Sequence, residues 1–279
     1  MNVVKVVNSE GESLLHQIIS LCKTFKDLST RDKVIFDLSK VGWVFPLLIL
    51  PIASHIRDTG SEYILPENHD VHAYLETIGF PEGVNSISQI NKEKTYIPIC
   101  VLERNNPQKN DLESTFAEMV YKVLEPNTQV KDAIYYPITE LVDNIFEHSK
   151  AEEGYVFAQY YPTKKFVDLC IVDRGRGITA SYKEEKNLEF SDGEAIKAAL
   201  DGLSTKPEQA RGYGIRTTRK IICDGLGGEF VIISGKAAFY SLQNKENIYK
   251  LCNFYWKGVI AAYRIPQPKA PIDIYEYIE

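Results

Sequence analysis

The sequence predicts an α/β protein in two parts, and three observations lead there. Through the first hundred residues, stretches with helical apolar spacing alternate with short apolar runs of strand type. A polar stretch with one proline, Arg104-Asn-Asn-Pro-Gln-Lys-Asn-Asp111, then interrupts the pattern and is the best candidate linker. Past two further helical stretches the chain turns strand-rich. The expected division is a smaller α/β domain over residues 1–104 and a larger α/β domain over residues 105–279.

Each element has a local reason. Val3 to Val7 reads as a short strand. Ser13 to Phe25 carries Leu14, Leu15, Ile18, Ile19 and Cys22 at helical spacing. Lys33 to Leu38 reads as a buried strand, and Phe45 to Ile56 as a helix entered through Pro46, a residue suited to the first turn. Val71 to Ile78 predicts a helix stopped by Gly79. Tyr96 to Leu102 returns to strand character. Helices are expected over Leu112 to Leu124 and Val130 to Ser149, the second with Pro137 near its start or at a break. Strands at Gly154 to Tyr161 and Phe166 to Val172 flank Pro162-Thr-Lys-Lys165, a hairpin turn. Helices follow over Gly193 to Asp201 and Tyr213 to Asp224. Strands close the chain at Glu229–Ser234, Ile248–Tyr255 and Gly258–Ile265.

Composition excludes several classes. The 279 residues are 44% hydrophobic and 25% charged, close to the average for globular proteins, so a disordered or fibrous chain is not expected. A net charge of −6 argues against a general nucleic-acid binder, which carries a basic excess or stripe. The longest apolar run, Val41 to Ala53, holds two prolines and is shorter than a membrane span. No signal-peptide pattern opens the sequence. The five cysteines are widely spaced without a CxxC pair, so they read as small hydrophobes in a reducing, cytoplasmic compartment.

Three segments carry candidate chemistry. The first is Glu140-Leu-Val-Asp-Asn144-Ile-Phe-Glu-His148. On a helix, Glu140, Asn144 and His148 fall at i, i+4 and i+8, on one face. A neutral Asn oxygen can ligate Mg²⁺, and a Glu one turn earlier can orient or deprotonate a water or hydroxyl. Taken alone, this segment fits an ordinary solvated helix face equally well. The second is Asp168-Leu-Cys-Ile-Val-Asp173-Arg-Gly175-Arg-Gly177-Ile178, a buried strand ending in an acceptor-only carboxylate and two glycines that permit close backbone approach. Such a carboxylate favours the 6-amino group of adenine over the 6-oxo group of guanine. The third is Ala210-Arg211-Gly212-Tyr213-Gly214-Ile215, where glycines precede a helix whose N–H groups form an anion site. Upstream, Gly202-Leu-Ser-Thr205-Lys206-Pro reads as a loop able to approach phosphates. Lys206 and Arg211 would then be charge partners, although Lys206 fits a solvated surface lysine as well.

In that order the three segments resemble the N box and two glycine boxes of the ATPase domain shared by gyrase, MutL, the large heat-shock chaperones and histidine kinases, the GHKL superfamily. The resemblance covers about Asp111 to Pro266, and the E-x-x-x-N-x-x-x-H-S form looks most like the bacterial anti-sigma-factor serine kinases. It implies an α/β fold in which the C-terminal part is a two-layer α/β sandwich, the Bergerat ATP-binding fold, with a mixed sheet covered on one face by helices. It implies ATP and Mg²⁺ as cofactors, Glu140 as catalytic base and Asn144 as metal ligand. Asp143 and His148 would contact the nucleotide from the first box, and Asp173, Gly175, Gly177 and Ile178 from the second. Thr205, Lys206 and Arg211, with Gly212, Tyr213, Gly214 and Ile215, would do so from the third. One departure stands out. The family often carries a Gly-Thr pair on a late strand, and here the comparable stretch is Gly258-Val259-Ile-Ala-Ala-Tyr, so another residue or the backbone must take that role.

The N-terminal part has a second resemblance. Val34 to Leu48 looks like the central strand–loop–helix of STAS domains, the anti-anti-sigma-factor fold. In that family the loop carries a phosphorylated hydroxyl, whereas Trp43-Val-Phe-Pro-Leu47 has none. A docking or dimerisation module is implied, and phosphorylation in cis is disfavoured.

Other motifs carry less. His69-Asp-Val-His72 has a metal-compatible spacing but no third ligand nearby. His148 as a phosphoacceptor is disfavoured, because histidine kinases place theirs on a preceding helical hairpin and the stretch from Asp111 to Pro137 holds no histidine. Two functions remain open. One is a serine/threonine protein kinase of the anti-sigma type or a slow ATPase. The other is a nucleotide-gated interaction protein with little turnover. Both expect a protein partner, without nucleic acid or membrane, and both allow a homodimer.

Overall fold

The computed structural model describes residues 1–8, 11, 13–91, 96–124, 129–205, 214–243 and 245–278. Strand β1 (Asn2–Lys5) leads into helix α1 (Leu14–Thr24), β2 (Val34–Asp37), α2 (Pro46–Thr59) and β3 (Glu62–Ile64). These three strands form a parallel sheet in the order β1-β2-β3. Helix α3 (His69–Thr77) is capped by Asn68, whose side chain accepts from the N–H groups of Asp70 and Val71. As expected, Pro46 opens α2, and the chain turns out of α3 through Gly79 at φ +76°.

Strand β4 (Cys100–Glu103) precedes α4 (Lys109–Leu124) and α5 (Lys131–Asn144), and a π-helical turn extends α5 over Ile145–Ser149. Then come β5 (Glu153–Tyr161), β6 (Phe166–Asp173), α6 (Gly177–Lys186), α7 (Asp192–Leu200) and α8 (Gly214–Lys220). Strands β7 (Glu229–Gly235), β8 (Ala237–Leu242), β9 (Lys245–Lys250) and β10 (Trp256–Pro266) complete the chain. Strands β4 to β10 form one seven-stranded sheet in the order β4-β5-β6-β10-β7-β8-β9.

Every pairing in this sheet is antiparallel, so the expected mixed sheet is corrected. The hairpin at Pro162–Lys165 is where the sequence puts it, with Tyr161 paired to Phe166. Strand β4 pairs with β5, so the stretch before residue 105 contributes an edge strand to the larger sheet. Helix α6 and strand β8 are absent from the sequence reading. The strand expected at Ile248–Tyr255 is found as β9, five residues earlier in its end, and β10 begins at Trp256. Helix α6 escapes notice because it is polar along most of its length and buries only Gly177, Ile178, Ser181 and Tyr182. Strand β9 is exposed at every residue, so it has no apolar alternation to read.

The large sheet is covered on both faces, by the helices of residues 105–279 on one and by helices of the first hundred residues on the other. Val167, Leu169 and Ile171 of β6 pack with α4, α5, α6 and α7 in one core. Their neighbours Cys170 and Val172 pack with α1 and α2 in a second core. The alternation is the pleat period of two, and both faces of β5, β6, β7 and β10 are apolar. Helix α2 is buried from Pro46 to Ile56, because it contacts β5, β6 and β10 while its core includes Val34 and Phe36 of β2. Among the described residues, no helix is long and apolar enough to cross a membrane. Cys100, Cys170 and Cys223 are buried, Cys22 is half-buried and Cys252 is exposed, and all five are free thiols.

A buried polar row fixes α1 to this sheet. Arg264 of β10 stands in register between Asp168 of β6 and Glu229 of β7. It donates to Asp168 at 2.6 and 2.8 Å and to Glu229 at 3.2 Å. Gln17 donates to Asp168 at 2.8 Å, and Glu229 accepts the Leu14 N–H at 3.1 Å, capping a helix whose Ser13 makes no side-chain cap. Arg264→Ala should lower the unfolding free energy by about 3–5 kcal/mol, since it leaves two buried carboxylates uncompensated. Urea unfolding followed by circular dichroism measures this, and a loss below about 1 kcal/mol would contradict a buried, coupled row.

Candidate functional site

A cleft of about 880 Å³, counting the space at its solvent-facing mouth, opens on the helical side of the large sheet. Ile171, Ile232, Val259 and Ala261 line it from the sheet, and Ile145, Ile178, Tyr182 and Leu203 from the helices and loops. Apolar walls with few polar groups are the usual character of a small-molecule site.

At one end lies Asp173, 3% exposed at the end of β6. Its Oδ1 accepts the Gly175 N–H at 2.8 Å. Burial pushes the carboxyl up to about 7, against the opposing pull of the Gly175 N–H, the Ser149 hydroxyl and the Val259 N–H. The Val259 backbone is thus one of the three donors that face the Asp173 carboxyl. The Asp173 carbonyl accepts from Trp256 Nε1 at 3.0 Å. Two glycines let the strands close on this group. Gly258 has φ +154°, and a Cβ there would overlap the Asp173 backbone. Gly177, at φ +79°, would bring a Cβ to 3.0 Å from Ser234 Oγ. Ser234, which sequence reasoning missed, accepts the Ile178 N–H at 3.1 Å and donates to Gly258 O at 2.9 Å, tying α6 to β7 and β10.

Glu140, Asn144 and His148 all line the cleft, as the i, i+4, i+8 spacing predicts, even though the last lies in the π-helical turn. Such turns are frequent at functional sites. Asn144 Nδ2 is buried, and it has no hydrogen-bond partner among the described residues. Gly214 opens α8 against both side chains: a Cβ there would collide with Glu140 Oε2 and lie 3.3 Å from Asn144 Nδ2. His148 Nδ1 and Thr205 Oγ1 are 2.9 Å apart, and Tyr182 donates to the Leu203 carbonyl, so two bonds hold residues 203–205 beside the cleft.

The remaining expected residues sort plainly. Ile178, Gly177, Thr205, Gly214 and Ile215 line the cleft. Gly175 lies behind the wall, packed against Ser149. Asp143 is not on the wall: it acts on Glu113 of α4, whose carboxyl burial first and Asp143 second hold above the usual range. One residue along a helix turns a side chain by about 100°, which is why Asp143 and Asn144 part company. Lys206, Arg211, Gly212 and Tyr213 lie outside the described residues. Ser149, Ser181, Tyr182 and Ser204 join the lining without having been foreseen, and only Ser149 had a signal, as the residue after His148. Among the described residues, no group of three or more His, Cys, Asp or Glu could hold a metal, and His72 instead faces Glu76 at 3.4 Å.

Next to Asp173, Arg174 points away from the cleft. It donates to Asp58 at 2.9 Å and to the Thr30 carbonyl at 2.5 Å, lies 3.2 Å from His55 Nδ1, and stacks 5.1 Å from the Trp256 ring centre. Burial, then the Arg174 charge, lower the His55 pKa to about 4, so a neutral ring accepts from Arg174 and donates to Asp32 O at 2.9 Å. No family model matches this chain, and comparison with curated proteins and with solved structures returns no match.

Proposed function

We propose that this chain is a Mg-ATP-binding regulatory protein of GHKL type, with a Bergerat-type ATP-binding fold in residues 105–279. It acts as a serine/threonine protein kinase of the anti-sigma type or as a slow ATPase. The observation that carries this reading is the meeting of Asp173, of Glu140 with Asn144, and of Gly214 around one cleft from three distant segments. The N-terminal part is read as a docking or dimerisation module.

The donor set suits the proposed ligand. Asp173 is a buried acceptor among apolar walls, which fits the 6-amino edge of adenine. Asn144, on the cleft wall, carries a neutral amide oxygen of the kind a hard cation takes. When bound, Mg²⁺ neutralises phosphate charge and orients the phosphoryl group. Glu140 accepts the proton of the attacking water or hydroxyl, a contribution of about 10²–10⁴-fold.

A second reading, a nucleotide-gated interaction switch with little turnover, draws support from Arg174. That side chain joins the Asp173 segment to α2 and the loop before β2, so occupancy of the cleft can be felt in the N-terminal part. Following the γ-phosphate separates the readings. Protein with γ-labelled Mg-ATP, alone and with cell lysate, is resolved into free phosphate and labelled protein, with Glu140→Ala as control. Label on a lysate protein that vanishes in the variant is the kinase outcome, and free phosphate alone is the ATPase outcome. Binding without release or transfer leaves the switch, and failure to bind Mg-ATP overturns both readings.

A further inference from the structure

We propose that a second small-molecule site lies where the first hundred residues meet the large sheet, and that it takes a planar, uncharged heteroaromatic ring bearing an N–H donor. The proposal does not depend on the nucleotide reading. A cavity of about 740 Å³, counting the space at its mouth, opens there, within the usual size range of small-ligand pockets. Trp43 and Phe45 line it from the loop before α2, Tyr161 and Phe166 from the β5–β6 hairpin, and Gln17 and Arg264 from α1 and β10. None of these residues lines the cleft around Asp173.

The walls are flat and aromatic. The Trp43 and Tyr161 ring centres are 6.0 Å apart with their planes inclined by 36°, and the Tyr161 ring centre lies 4.6 Å from that of Phe166. Trp43 is 54% exposed, and its carbonyl accepts from Asn8 Nδ2 at 2.6 Å, so its backbone is tied down while its ring reaches solvent. Aromatic walls by themselves would equally suit an ammonium group. Arg264 removes that option, because its guanidinium already covers the Phe166 ring at 3.9 Å. Lys164 brings a second cationic side chain to the lining, and among the described residues no Asp or Glu lines the cavity.

Gln17 sets the polar requirement. It is 4% exposed, and its Nε2 donates to Asp168 at 2.8 Å. Asp168, ion-paired with Arg264, only accepts, so the amide nitrogen must face it and the amide oxygen must point elsewhere. That oxygen, Oε1, is buried and has no hydrogen-bond partner among the described residues. Buried polar groups are nearly always hydrogen-bonded, so an unmet acceptor in a residue of a cavity wall marks where a ligand donor belongs. The amide cannot turn to meet another donor without giving up Asp168. A heteroaromatic N–H supplies both the flat face and the donor.

The chain has two tryptophans, so ¹⁵N labelling of the indole nitrogens gives two side-chain resonances. Trp256, buried and donating to the Asp173 carbonyl, is the internal reference for Trp43. Titration with indole should shift the Trp43 resonance saturably, with a Kd on the order of a millimolar, and leave Trp256 unmoved. 1-Methylindole, the same ring without the donor, should bind about five-fold more weakly. Gln17→Leu should weaken indole to the level of 1-methylindole and leave 1-methylindole unchanged. Trp43→Ala, at an exposed position, should weaken both probes, read by saturation-transfer NMR of the probe protons. Three results overturn the proposal: no saturable shift of Trp43 with indole, equal affinity for the two probes in wild type, or tighter binding of trimethylphenylammonium than of indole. The probe comparison is made in wild type, so it decides even where Gln17→Leu does not fold.

Discussion

Asp173→Asn is expected to weaken Mg-ATP binding by about a hundred-fold, the scale of a lost charge-assisted hydrogen bond compounded by a donor facing a donor. One carboxylate oxygen already accepts the Gly175 N–H. An amide in its place must turn its NH₂ either toward that N–H or toward the 6-amino group, and both are mismatches. The same change should relieve the ligand-free protein. Burial raises the folded-state pKa of Asp173 to about 7 from the ordinary carboxyl value of 3.8. Between those values the unfolded chain has released the proton and the folded chain keeps it, so folding stability falls as pH rises. The loss is complete above the folded value, on the order of 4 kcal/mol in total. Asparagine does not titrate, so the variant should lack this decline between about pH 4 and 7. Binding runs in the opposite sense. Adenine needs the ionised acceptor, so affinity for Mg-ATP should be about ten-fold weaker near pH 6 than near pH 8 in wild type and flat in the variant. Calorimetric binding and urea unfolding at both pH values read these effects. Equal affinity at the two pH values in wild type would remove Asp173 from base recognition.

Gly214→Ala should cost as much turnover as Glu140→Ala, about 10²-fold or more, although it adds one methyl group outside any charged set. The added Cβ would collide with Glu140 Oε2 and press on Asn144 Nδ2, displacing the proposed base and metal ligand together. Glu140→Ala should spare binding, whereas Gly214→Ala should also weaken the Mg²⁺ dependence of binding. Binding is read by equilibrium dialysis with and without Mg²⁺, and turnover by phosphate release. A Gly214→Ala protein that hydrolyses ATP at the wild-type rate would show that α8 does not shape the site.

Much of this was legible because local rules are strong where a segment must satisfy its own backbone. Pro46 at a helix start, Gly79 after a helix and the hairpin at Pro162–Lys165 are short-range effects, and all are found as the residues specify. The spacing of Glu140, Asn144 and His148 placed all three on one wall, since helical period is fixed by the backbone and one π-helical turn did not undo it. Near-continuous apolar strands such as Leu169 to Val172 already indicate burial on two faces, but not which layers provide it.

What the sequence by itself determined, then, is the order of the elements other than β3, α6 and β8, the identity of the charged and glycine-rich segments, and the face each helical side chain shares with its neighbours. Tertiary structure alone decided the antiparallel order of the seven strands and the packing of α1 and α2 on the second face of the sheet. It also set Asp143 off the cleft wall and brought in Ser234 and the Val259 backbone. The physical reason is range. A hydrogen bond between residues 178 and 234, or a row running from residue 14 through 168 and 229 to 264, depends on strand order and layer packing, and neither leaves a periodic mark on the chain.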